Sequence, residues 1–280
     1  VDELRTALEL ATEEELQELT LFLFSRRFNP LDYLYLPEPL SVQSRDRESW
    51  LDALEQRFRF LAADGITVLR GKTSQVTYRQ AVLQVCRFLK IPYSDALSTA
   101  DLEAEIFLHL LGRAWKRLPR QQRVALSEQV QESLTESSLA SKIPLSLYHD
   151  PIGLLIKGGS ALAISAVVRS VILRQIAQQF ALHVAKYQVA QQALVRGGVA
   201  AATQLQNQLA LQTARQGMAF TAARYGAVRG LFAFLGPALW AWFLADLGWR
   251  SISTNYARVI PTIFTLAQIR LTRGECFEFA

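Results

Sequence analysis

Residues 98–118 read STADLEAEIFLHLLGRAWKRL, and this stretch decides the fold class. Leu102, Ile106, Leu110 and Trp115 recur at helical spacing, which lines one face of a helix with apolar side chains. Ser98 or Thr99 stands where an N-cap oxygen accepts from the free backbone N–H groups of a first turn. Asp101, Glu103 and Glu105 follow, where carboxylates favour the positive end of the helix dipole. Pro119 then opens a further helix over about 119–137, since at the first helical position its missing N–H would be unpaired anyway.

The same signals extend toward the N-terminus. Residues 76–90 form a helix that stops before Pro92, and 64–75 (DGITVLRGKTSQ) a turn with at most a short extended piece. Residues 45–64 are helical, with Trp50, Leu51, Leu54, Phe58 and Leu61 on one face. Residues 29–44 hold Pro30, Pro37 and Pro39 and read as a loop. Residues 1–28 give one or two amphipathic helices, with Leu4, Leu8, Leu16, Leu19 and Leu23 in register. Thr12 and Glu15 form a capping box that starts the second of them.

Composition agrees with an all-α fold. Half of the 280 residues are hydrophobic and 20% charged, too apolar for a long disordered chain. With 14 Gly and 9 Pro, a sandwich with a turn every few residues is disfavoured. The composition changes near 144–151 (PLSLYHDP). Residues 1–150 hold 22 acids and 18 bases, a net of −4, whereas 151–280 hold 3 acids and 12 bases, a net of +9. Two parts are therefore expected. An acidic helical bundle occupies 1–148. A basic, apolar helical region with long helices occupies 149–280, its helices over 152–226 broken at Gly158-Gly159 and Gly197-Gly198.

Catalytic and metal chemistry find little footing. Gly65 and Gly71, before Lys72 and Thr73, are separated by five residues where a phosphate-binding P-loop has four. His109, His149 and His183 share no ligand spacing, and His109, among Leu108, Leu110 and Leu111, reads as a core or boundary residue. His149-Asp150 could form a dyad, but a polar linker explains it more simply. Cys86 and Cys276 make neither a disulfide framework nor a thiolate cage, which fits a reducing compartment. The expectation is a protein that is not an enzyme and needs no cofactor and no metal. The acid-rich opening does not read as a signal or transit peptide, and the chain begins on Val1 rather than Met, which leaves room for sequence upstream.

The basic half suggests a polyanionic partner. Its bases are spread singly through apolar sequence and match no zinc-finger, RRM or helix-turn-helix pattern, so nucleic acid is not expected. Residues 230–245 (GLFAFLGPALWAWFLA) are uncharged between Arg229 and Asp246, short of the roughly 20 residues of a spanning helix. Two readings stay open: embedding in a membrane, or a central bundle helix buried all round. In the first reading Arg229, Phe232, Phe234, Trp240, Trp242, Phe243, Trp249 and Arg250 meet the lipid, the tryptophans as an interface belt. Residues 152–185 carry Lys157, Arg169 and Arg174 in an apolar run, which suits either an in-plane interfacial helix or a core helix with a basic solvent face.

Several segments resemble the YaaW-like family of bacterial proteins. They are residues 2–24, the stretch GITVLRGKTSQVTYRQAVLQVCRFLKI, residues 98–118 and, most specifically, GPALWAWFLADLGWRSISTNYARVIPTIFTLAQIRL. The motif positions are Gly236, Pro237, Trp240, Asp246, Leu247, Tyr256, Arg258, Pro261 and Arg270; one residue separates Tyr256 from Arg258, where the family has the two adjacent. That family is grouped with the ubiquinol–cytochrome c chaperones, helical assembly factors for a membrane respiratory complex, and brings no catalytic residues. The resemblance implies a protein client, such as a membrane bioenergetic complex. The combined expectation is a membrane-associated assembly, chaperone or scaffolding factor on the cytoplasmic face, binding a client and anionic lipid. The alternative is a soluble helical interaction module whose basic face binds an acidic protein.

Overall fold

A computed structural model of the chain describes residues 3–24, 37–64, 67–68, 70–135, 151–158, 169–182 and 255–273. Of these residues 82% are helical and none lies in a strand, so the fold is all-α. Packing divides the chain into two units: Val1–Ile106 with Pro237–Ile269, and Phe107–Gly236 with Arg270–Ala280.

In the first unit, α1 (Glu3–Glu9) and α2 (Glu13–Leu23) are separate helices. They part at Thr12, whose hydroxyl accepts from Glu15 N at 3.3 Å while the Glu15 carboxylate accepts from Thr12 N at 2.8 Å. This reciprocal cap satisfies two donors that a helix start leaves open, and it lets Glu15 be buried at 1% exposure. The loop expected over 29–44 is corrected in part, because Pro39–Gln43 form a short helix, α3. Pro39 sits at its start, where its fixed φ is already helical; residues 29–36 lie outside the described residues. Asp46 caps α4 (Arg47–Ala62), and the five apolar residues expected on its inner face are all buried.

No extended piece occurs at 64–75 among the described residues. Gly71 turns the chain at φ +66, a value that suits a residue without Cβ, and Thr73–Gln75 make a 3₁₀ turn. Thr77 caps α5 (Tyr78–Leu89), which ends before Pro92 with Lys90 in the left-handed region and Ile91 N donating to Cys86 O at 2.9 Å. In α6 (Thr99–Arg117) it is Ser98 that caps: Asp101 N donates to its hydroxyl at 3.1 Å, and its own N–H donates to Asp101 at 3.3 Å. Leu102, Ile106 and Leu110 are buried as expected, and Trp115 is half-buried.

The second unit holds the later part of α6, α7 (Arg120–Thr135), α8 (Pro151–Gly158) and the helical residues 169–182. Pro119 stands one residue before α7, a difference within the fraying of helix ends. The Gln179 amide donates to the Ser133 hydroxyl at 2.6 Å, tying 169–182 to α7. Gly112 on α6 lies against α8, and a Cβ there would stand 2.8 Å from Ile156 Cγ2. The last helix, α9 (Tyr256–Arg273), returns to the first unit through Ile269. Its residues 258–271 are all buried.

The Gly112 contact generates a sharp expectation. Gly112→Ala should cost about 1–3 kcal/mol through overpacking, offset by about 1 kcal/mol of helix propensity gained, and it should be stabilising in an Ile156→Ala background. Urea unfolding of the two single variants and the double variant measures the coupling; an equal effect of Gly112→Ala in the two backgrounds would mean that the helices do not approach this closely.

Candidate functional site

The C-terminal end of α2 is where the first helices meet α9. The last carbonyls of a helix have no partner within it and carry the negative end of its dipole. Leu23 O is one of them. It accepts from Arg57 Nε at 3.1 Å and from Arg258 Nη1 at 3.3 Å, across 235 residues of sequence. Arg57 is 7% exposed and Arg258 fully buried. The Arg57 guanidinium also lies 6.0 Å from the ring centre of Phe24 and 5.4 Å from that of Phe60, in cation–π range. Beside this node Asn255 N donates to Leu61 O at 3.0 Å, a free carbonyl at the end of α4. Tyr256 stacks on Phe88 at 4.1 Å. One turn back along α2, the Thr20 hydroxyl donates to Leu16 O at 2.6 Å and accepts from Trp50 Nε1 at 2.7 Å.

Four of the positions singled out in the sequence, Tyr256, Arg258, Pro261 and Arg270, lie among the described residues. Tyr256 and Arg258 fasten the start of α9. Pro261 lies inside the helix, where it removes the N–H that would bond to the carbonyl of residue 257, and next to it Thr262 Oγ1 donates to Arg258 O at 2.8 Å. Arg270 is buried. Gly236, Pro237 and Asp246 lie outside the described residues, as do Arg229, Phe232, Phe234, Trp240, Trp242, Phe243, Trp249 and Arg250. The sequence reading passed over Arg57, although a signal was present. Position 57 shares the inner face of α4 with Leu54, Phe58 and Leu61, so an arginine there has to find a buried acceptor.

The second feature is an open groove of about 680 Å³ in the first unit, lined by Asp52, Glu55, Gln56, Arg59, Phe60, Thr73 and Ser74. Arg5 on α1 pairs with Asp52 at 2.6 Å, with Glu9 at 3.3 Å, and with Glu48. Arg59 pairs with Glu55 at 2.5 Å and donates to Ser74 O at 2.7 Å. Burial raises the pKa of Glu55 above the usual carboxylate range, against the pull of Arg5 and with the push of Asp52.

The remaining reactive side chains read as structural. Burial pushes the Cys86 thiol up to about 12, so the nucleophilic thiolate is scarce at neutral pH. His109 is half-buried, and its Nε2 has no hydrogen-bond partner among the described residues. Burial lowers its pKa, with Arg113 and Lys116 adding to the effect. Among the described residues no three His, Cys, Asp or Glu converge on a metal position. The glycine turn before Lys72 and Thr73 is largely solvent-exposed. His149, Asp150, His183 and Cys276 lie outside the described residues. Compared with family models, with curated proteins and with solved structures, the chain matches none.

Two measurements follow. Arg258→Met should lower stability by about 2–3 kcal/mol, the loss of a buried hydrogen bond from a charged donor. Arg57→Met with Arg258→Met should lose more than the two single losses combined, because only then is Leu23 O left with neither guanidinium; simple additivity in urea unfolding would refute a shared acceptor. For His109, a lowered pKa means that the unfolded chain binds the proton more tightly. Its contribution to stability is complete above the ordinary histidine value and falls as pH drops below it. Stability should therefore fall less between pH 7.5 and pH 5.5 in His109→Leu than in the parent, at roughly neutral to mildly acidic conditions where histidine titrates; equal falls would overturn the assignment.

Proposed function

We propose that this chain is a non-catalytic scaffolding or assembly factor that holds a protein client at an anionic membrane, on its cytoplasmic face. The observation that supports this reading best is the anchoring of α9. The apolar, tryptophan-bearing stretch 230–249 ends six residues before Asn255, where the Leu61, Phe88 and Leu23 contacts begin. A segment that enters the lipid interface there would pull on a helix buried on every face, so the first unit would be held at the surface and not on a loose tether. The acid-rich first unit then serves the client and the basic sequence serves the lipid. The resemblance to the YaaW-like family and the ubiquinol–cytochrome c chaperones adds an analogy toward a membrane bioenergetic client.

A second reading, a soluble helical interaction module that binds an acidic protein, draws on a different observation. Arg258 and Arg270 are buried, which removes two of the 12 bases of the C-terminal half from any lipid-facing surface. Among the described residues no helix is long and apolar enough to cross a membrane, and 230–249 is not among them.

Flotation of the full chain with phosphatidylglycerol-containing vesicles, against neutral phosphatidylcholine vesicles, separates the two. The membrane reading expects flotation that survives salt and carbonate washes, and that is lost on joint substitution of Trp240, Trp242 and Phe243 by Ala. Flotation lost in salt alone would reduce the role of 230–249 to none. Absence of flotation with either lipid would leave the soluble module.

A further inference from the structure

The ion pairs that border the groove are not symmetric with respect to solvent. The cations are sunk: the side chains of Arg5 and Arg59 are 17% and 19% exposed. Three of the anions around them stand out in water, with Glu9 at 52%, Glu48 at 76% and Asp52 at 61%. Two cations stand against four carboxylates, Glu9, Glu48, Asp52 and Glu55, and the first three of these face solvent, so the surface is acidic. Phe60, on the groove wall, is one of the few large apolar side chains exposed among the described residues, at 44%. An exposed aromatic ring thus stands in one open groove with the outward carboxylate of Asp52, and Glu48 lies one helical turn before it.

We infer that this groove docks a basic peptide segment of a partner protein, one that carries an aliphatic or aromatic residue next to its cationic side chains. The cations would face Glu48 and Asp52, and the apolar residue would cover Phe60. Charge decides between partners: phosphate-bearing surfaces, whether lipid or nucleic acid, are repelled by the outward carboxylates, and a basic polypeptide is attracted. A bare metal ion is a poorer occupant, because among the described residues no three potential ligands converge. The inference rests on the client-holding half of the proposed function and supplies the chemistry of the client. It does not depend on the membrane half.

The test is fluorescence anisotropy of the full chain, without vesicles, using a short fluorescein-labelled peptide of alternating Arg and Leu. Binding is expected, weakening as salt rises, since exposed charges are screened beyond about 10 Å at 0.1 M. Replacing every Arg of the peptide by Gln should abolish it. Glu48→Gln with Asp52→Asn should weaken it about tenfold; the amides keep an acceptor oxygen for Arg5, and circular dichroism checks the fold. Gln56→Lys, on the groove wall and outside every ion pair described above, should weaken it too, which keeps the inference testable if the double variant is unstable. Phe60→Ala should also weaken it, and Val124→Ala, which trims an equally exposed apolar residue in the second unit, should not. Equal binding of the Gln peptide, binding unchanged in the groove variants, or no binding would overturn the inference. So would self-association of the chain that depends on Glu48 and Asp52, since a second copy would then be the occupant. Flotation remains interpretable whichever result is obtained.

Discussion

The carbonyl of Leu23 is the point on which the first unit depends. It terminates α2, where backbone acceptors have run out of helical donors, and it is answered by guanidinium groups from α4 and from α9. The arrangement places two cations at the negative end of a helix dipole, where a positive charge is favoured. It also sets a condition on folding. A chain that has made α1 to α5 still lacks the donor from Arg258, the bond from Asn255 to Leu61 and the ring of Tyr256 on Phe88. The unit is completed only by residues near the far end of the chain, and loop closure over such a distance costs entropy that the burial of α9 must exceed.

The burial of α9 shows how that cost is met. Val259, Ile260, Ile263, Phe264, Leu266 and Ile269 are all at 1% exposure or less, so the helix contributes apolar surface on every side. At roughly 1.5–3 kcal/mol for each large apolar side chain taken from water, a few turns of such a helix outweigh the closure term. Of the polar residues on it, Thr262 returns its hydroxyl to Arg258 O and Arg258 reaches Leu23 O. A helix of this kind resists removal, which is why the reading of the chain as a scaffold leans on it.

Charge is organised at a finer scale than the halves of the sequence suggest. The first 24 residues carry seven acids and one base in the stretch before Ser25. Part of that acidity is spent on helix starts: Glu15 closes a cap, and Glu13 and Glu14 lie in the first turn of α2. The remainder is sorted by Arg5, a partly sunken cation that gathers carboxylates from α1 and α4 and leaves them facing water. Isolated surface ion pairs add little stability, about 0–1 kcal/mol each. The consequence of this network lies in the surface it presents.

Local signals were legible without coordinates. Thr12 with Glu15, Asp46, Ser98 and the proline at 92 mark helix ends through hydrogen bonds that form within a few residues, and the periodic leucines of 98–118 and 45–64 name the buried faces correctly. Pro39 misled because a proline reads as a loop signal and also as a helix-start signal, and its neighbours decide which. Among the described helices the most buried was not legible. YARVIPTIFTLAQIRLTR holds three arginines, a proline and three threonines, so its hydropathy is unremarkable. Burial of α9 rests on acceptors such as Leu23 O and Leu61 O, and on the ring of Phe88, all of them far away in sequence. The same holds for the groove. The charges of Arg5, Glu48, Asp52 and Arg59 are plain in the sequence, but which of them sink and which face water is set by the packing of α1 against α4. The sequence by itself determined where helices start and stop, because capping and periodicity are short-range; only the tertiary structure decided which of the described helices is most buried and which charges are exposed, because those follow from contacts between residues up to 235 positions apart.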